Sequence, residues 1–174
     1  MSIITNVRTI RLEQFPNSIW VEIETDENLT GLGEAWRGTA AIETIIHHDI
    51  CPWLIGQDSR NIELISRTLL TPYVGFHSAS AEVRAASAID IALWDLAGKR
   101  HGIPVYEALG GASRSSIQVY NTCSGYSFNA SSSAYNSGTS RRMITDKDEM
   151  RGPYDDQVAF TRDAGALAKS LLSE

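Results

Sequence analysis

The chain has 174 residues, 43% of them hydrophobic, enough for one core of roughly 100 to 150 residues but short of a complete eight-fold barrel. A net charge of −6 and a pI near 5.2 give no attraction to phosphate backbones or anionic lipid, which argues against nucleic acid and membrane surfaces as partners. No apolar run approaches the ~18 residues of a membrane span, and MSIITNVRTI lacks the apolar stretch of a signal peptide, so a cytoplasmic protein is expected. Cys51 and Cys123 lie far apart and read as reduced thiols, and the sequons at Asn28 and Asn129 read as chance matches.

Residues 3 to 36 carry β-branched and aromatic runs separated by turn chemistry at Phe15-Pro16-Asn17 and Asp26-Glu27-Asn28, the pattern of a three-stranded antiparallel meander. In the second run Ile19, Val21 and Ile23 alternate with Trp20, Glu22 and Glu24, so one face is expected inside and the other mostly wet. From Thr39 the period becomes helical. Thr39 is the expected N-cap of a first helix with Ile42, Ile45 and Ile46 on its apolar stripe, and Pro52 is the expected stop. A second helix is expected from Asp58 or Ser59, with Ile62, Ile65 and Leu69 inward, ending before Pro72. The third, from Ser80 to Lys99, is long and alanine-rich and closes at Gly102 and Pro104.

After Gly110-Gly111, Ser116 to Asn121 reads as a short buried strand. Residues 123 to 140 hold seven serines and no charge, and the charged stretch RRMITDKDEMR follows, so 123 to 152 is expected to be a long mobile loop. A last helix is expected from Asp155, with Phe160, Ala164, Leu167, Ala168 and Leu171 at helical spacing.

The common short catalytic signatures are absent: no G-x-S-x-G, no P-loop and no H-E-x-x-H. Gly31-Leu-Gly33 puts Trp36 where a dinucleotide loop needs its third glycine, and the segment reads as a strand. His47 and His48 point about 100° apart on a helix, and His47 with Cys51 makes only two ligands, so a structural reading is preferred for all three. Asp90 and Asp95 sit in an otherwise apolar helix. The structural reading pairs Asp90 with Arg84 or nearby backbone and Asp95 with Lys99, and it is preferred over an acid-base role raised by burial. Trp36-Arg37-Gly38 lies between a strand and a helix, where an aromatic ring and a guanidinium could grip a carboxylate or a polyol, or could be merely the exposed end of a sheet.

Four segments in fixed order, GLGEA from Gly31, PWLIG from Pro52, AIDIALWDLAGK from Ala88 and GIPVYEALGG from Gly102, resemble the mandelate racemase and muconate lactonizing enzyme group of the enolase superfamily. The resemblance implies an α+β capping domain over residues 1–112, a three-stranded meander followed by a helical bundle. Residues 113–174 would then be the first strand, long loop and first helix of an incomplete TIM-like barrel.

In that group, cap loops select the substrate, which transfers by position to the Glu13–Asn17 turn and to Trp36-Arg37-Gly38. With Asn121 at the end of the first barrel strand, the specificity candidates are Phe15, Asn17, Trp36, Arg37 and Asn121. The group's reaction removes the proton α to a carboxylate with Mg²⁺ held at barrel strand ends. Its Lys-x-Lys, its metal carboxylates and its His-Asp pair have no matching positions here, so no catalytic residue and no metal ligand is assigned.

The resemblance thus implies the N-terminal part of a Mg²⁺-dependent acid-sugar dehydratase, with a small-molecule carboxylate as substrate and a homo-oligomeric parent. The chain alone is expected to be inactive. A racemase or a muconate-type cycloisomerase is the alternative within the family, and a non-catalytic capping or association module is the alternative outside it. A lone barrel strand and helix lack the sheet they should cover, so the apolar faces of 116–174 are expected to be exposed.

Overall fold

The computed structural model describes residues 1–13, 15–71, 80–119 and 164–172. The chain divides into two units, Met1–Glu13 with Ser18–Ser113, and Gln14–Asn17 with Arg114–Glu174.

In the first unit, β1 (Ile4–Ile10), β2 (Ser18–Thr25) and β3 (Thr30–Trp36) form an antiparallel sheet in the order β1-β2-β3, the meander expected from the sequence. Ile19, Val21 and Ile23 of β2 are fully buried, and the intervening Trp20, Glu22 and Glu24 are half-buried on the outer face. In β1 the core residues Ile4 and Val7 are three apart, which breaks strict alternation. The register shift between Ile4 and Asn6 explains this: Ile4 faces Thr25, Val7 faces Ile23, and Thr5 is the extra residue of a bulge. Across the outer face Arg8 pairs with Glu22 and Glu24.

The helices cover the inner face. Most of that cover comes from α4 (Ala81–His101), which lies across β3 and β2 and buries Ala85, Ala88, Ile89, Ala92, Leu93 and Leu96. Its seat on the sheet explains Gly31-Leu-Gly33. A Cβ at Gly31 would stand 2.1 Å from the carbonyl oxygen of Ala92, and one at Gly33 would stand 1.9 Å from that of Ala88. Two glycines facing two alanines thus let helix backbone rest directly on strand backbone. Gly102 ends α4 in the left-handed conformation at φ 65°, as its position predicts, and Ile103 N–H returns to Gly98 O at 3.0 Å.

The first helical stretch departs from expectation at both ends. Gly38, not Thr39, occupies the N-cap, at φ 73° and ψ 34°, and Thr39 is the first buried residue of α1 (Thr39–Thr44). Nor does Pro52 stop the helix. The path widens into a π segment over Ile45–Ile50, with Cys51 N–H reaching Ile46 O, and then continues as α2 (Cys51–Leu54) with Pro52 in its first turn. Proline at that point needs no donor, and the wider upstream turn makes room for its ring.

α3 spans Ile62–Leu70, with Ile65 and Leu69 buried, and starts three residues later than Ser59. Asp58 and Ser59 are instead taken up in anchoring the N-terminus: Ile3 bridges Asp58, and Ser59 N–H donates to Ser2 O at 2.8 Å. Arg100 Nη2 donates to both Ser2 Oγ (2.7 Å) and Ser59 Oγ (2.8 Å), two hydroxyls on fully buried residues, while its Nε lies 3.2 Å from Glu27. A short α5 (Val105–Ala108) follows Pro104.

In the second unit, Ser116–Val119 do not form the strand expected there, and Ile117 and Val119 are 74% and 81% exposed. A parallel barrel strand needs neighbours for its backbone groups, and the described residues supply none. A helix α6 spans Ala164–Leu172 with Leu172 exposed. Cys123, Asn129, the loop expected over 123–152 and the Asp155 end of the last helix lie outside the described residues.

Candidate functional site

Of the five specificity candidates, Trp36 and Arg37 are brought together by their own backbone. Trp36 closes β3, paired with Ser18, and is 41% exposed. Arg37 then turns left-handed at φ 66°, and Gly38 follows at φ 73°. A non-glycine residue in that region costs about 1 to 2 kcal/mol, so two successive left-handed residues with arginine first is a conformation that surrounding contacts must impose. The turn folds the guanidinium back over the Trp36 ring, with its carbon 4.8 Å from the ring centroid, a cation–π contact. Such a contact places the guanidinium over the indole face and restricts the conformations it can take.

Phe15 is 51% exposed and Asn17 is buried, while Asn121 lies outside the described residues.

One residue at this turn escaped the sequence reading. Arg84, in the first turn of α4, donates from Nη1 to the carbonyl oxygen of Arg37 at 3.1 Å. The pairing of Arg84 with Asp90 expected from the sequence does not occur; Asp90 accepts from Ser66 Oγ at 2.9 Å. Helical geometry gives the reason, because residues six apart point about 120° away from each other. That spacing was the available signal that Arg84 faces something else.

The other polar residues singled out in the sequence hold structure together. Asp95 and Lys99 form the expected i,i+4 pair at 2.7 Å. They also cap the open edge of β3: Leu32 N–H donates to Asp95 Oδ2 (2.7 Å) and Lys99 Nζ donates to Thr30 O (2.7 Å). His47 Nε2 lies 2.9 Å from Thr9 Oγ1, and that hydroxyl donates to Glu43 Oε1 at 3.0 Å. Burial works against the Glu43 carboxylate, but hydrogen bonds from Arg11 and Thr9 outweigh it and hold its pKa below the usual value. Cys51 is buried, which raises its thiol pKa. Among the described residues no group of three or more His, Cys, Asp or Glu could hold a metal ion, so they do not fit a magnesium site.

A groove of about 650 Å³ lies along α4, lined by Leu32, Ile91, Trp94, Val105 and Leu109 together with Asp90, Asp95 and Lys99. Its lining is mostly apolar, and Asp95 and Lys99 are already committed to each other and to the sheet edge. It is a poor match for a polyhydroxylated acid, so cavity size does not select the site in this chain. Among the described residues no helix is long and apolar enough to cross a membrane.

Residues 6–110 match the family model for the N-terminal domain of mandelate racemase / muconate lactonizing enzyme. Among curated relatives, a D-mannonate dehydratase of Rhizorhabdus wittichii is 36% identical over 126 residues, covering 70% of this chain and 31% of its own. A D-galactonate dehydratase of Ralstonia nicotianae is 39% identical over 124 residues, with the same coverage of 70% and 31%. A solved enolase from environmental sequencing of the Sargasso Sea is 58% identical, with a TM-score of 0.67 over 72% of this chain and 34% of that one. The chain therefore spans about a third of the length of the relatives it matches. The three-stranded sheet and the helices packed on it are the fold of that enolase cap, and the chain belongs to the mandelate racemase / muconate lactonizing enzyme family through its N-terminal domain.

Proposed function

We propose that residues 1–112 are the substrate-facing cap of an acid-sugar dehydratase, and that residues 113–174 begin the barrel which carries its chemistry. The observation that carries this reading is the Arg37 guanidinium, placed over the Trp36 ring on a left-handed turn at the end of the sheet. A fork so placed is suited to bind and orient the carboxylate of a sugar acid, while the indole offers an apolar face to its carbon chain. The relatives named D-mannonate and D-galactonate dehydratases point to the same substrate class. Phe15, Asn17 and Asn121 are further specificity candidates. The described residues do not fit Mg²⁺, and proton abstraction falls to the part of the parent enzyme that completes the barrel.

The test compares the 174-residue chain with a chimera that joins its cap to the remainder of the D-galactonate dehydratase relative, each assayed with Mg²⁺ and a panel of sugar acids. The chain alone should give no turnover, and the chimera should dehydrate one or more of the panel. In the chimera Arg37→Met should raise KM by about 10- to 100-fold, the value of one charged hydrogen bond, with kcat changed much less. Turnover by the chain alone, or an unchanged KM in the variant, would defeat the reading. Sizing the chimera on a column tests the accompanying proposal that the parent is a homo-oligomer.

A further inference from the structure

We infer that Arg84 is a positioning residue for the Trp36–Arg37 grip, an inference that rests on the substrate-facing reading of that turn. The peptide linking Arg37 to Gly38 is the weak point of the turn. A flip of that peptide plane turns ψ of Arg37 and φ of Gly38, and Gly38 accepts positive and negative φ about equally, so the glycine's own torsion sets no bar to it.

The Arg84 guanidinium bears on that plane directly, because Nη1 donates at 3.1 Å to the carbonyl oxygen that a flip would swing away. Arg84 is itself firmly mounted. It lies in the first turn of α4, the helix whose Ala88 and Ala92 carbonyls rest against Gly33 and Gly31 of β3. A rigid helix-strand seat is thereby linked by one charged hydrogen bond to the residue that would meet the substrate. Arg84 also places a second positive charge next to the turn, which favours an anionic ligand over a neutral polyol.

The test uses the full 174-residue chain, labelled with ¹⁵N, as wild type and as the variants Arg84→Met, Arg84→Lys and Arg37→Met. D-galactonate is titrated against galactitol, its uncharged counterpart, while the Trp36 indole N–H and the Arg37 Nε–H signals are followed. In the wild type both signals should move with D-galactonate and neither with galactitol. Arg84→Met should raise the titration midpoint at least tenfold and remove the ring-current offset of the Arg37 signal, and Arg84→Lys, which keeps one charged donor, should restore most of both. Slow exchange of the Leu32 amide reports in every variant that the α4–β3 seat is intact.

A wild-type midpoint and offset in Arg84→Met would overturn the role of Arg84 while leaving the grip standing. Loss of Leu32 protection in Arg84→Met would make Arg84 a residue of the fold and overturn its positioning role. No response of the wild type to D-galactonate, or an undiminished response in Arg37→Met, would overturn the grip and the inference together.

Discussion

Single residues in this cap do work that their type alone does not announce. Gly33 is the sharpest case, since any side chain there would enter the backbone of α4. Gly33→Ala should therefore destabilise the fold by about 3 kcal/mol, the upper end of overpacking costs, measured as a lowered urea midpoint. Asp58 shows the same principle in electrostatics. Hydrogen bonding from Arg60 holds its carboxyl well below the usual range, and the backbone N–H groups of Arg60 and Ser2 add to this. Glu27, bonded by Ser2 and Arg100, shifts in the same direction. A depressed carboxylate contributes stability above its unfolded pKa of about 4 and loses it as pH falls toward the folded value. The urea midpoint should thus decline from about pH 4 downward, and Asp58→Asn should lower it at neutral pH while flattening that decline. A slope unchanged by the variant would assign the acid sensitivity elsewhere.

Among the elements, α4 organises the cap, because it covers the sheet, caps its edge and hydrogen-bonds the Arg37 carbonyl through Arg84. Its length and alanine content were legible as a helix, and its closing glycine as a cap, but the close packing of those alanines on Gly31 and Gly33 was not. The edge capping by Asp95 and Lys99 was half legible: helical spacing gave the pair, but the Leu32 and Thr30 backbone groups come from a strand more than 60 residues away. Asp95→Ala should cost about 1 kcal/mol, the value of a partly exposed pair with one backbone hydrogen bond. Hydrogen exchange at the Leu32 amide should quicken in that variant, and unchanged exchange would show that the capping bond contributes nothing. The first helix shows how a local rule gives way. Proline ends an isolated α-helix, yet a wider turn upstream absorbs Pro52 while Ile46, Ile50 and Leu54 remain in the core.

On the scale of the whole molecule, the buried hydrophobic core among the described residues runs from Ile4 to Leu96 and draws on nothing beyond residue 113. Shortening the chain to residues 1–112 should leave the unfolding free energy within about 1 kcal/mol of the full chain, since substitutions outside a core change stability little. A larger loss would show that the second unit supports the first. Among the described residues of 116–174, Ile117, Val119 and Leu172 are exposed.

The sequence by itself determined the meander, the helical periods and the family, because alternation, 3.6-residue spacing and turn chemistry are written locally, and four ordered segments carry the resemblance. It also put Trp36 and Arg37 side by side as candidates. Only the tertiary structure decided that Gly31 and Gly33 serve helix-on-strand contact, that Asp90 takes Ser66, and that Arg84 reaches back 47 residues to the carbonyl of Arg37. The physical reason is common to all three. Each depends on which backbone atoms of one element come within bonding distance of another, and that distance is set by the packing of α4 on the sheet, which no local period encodes.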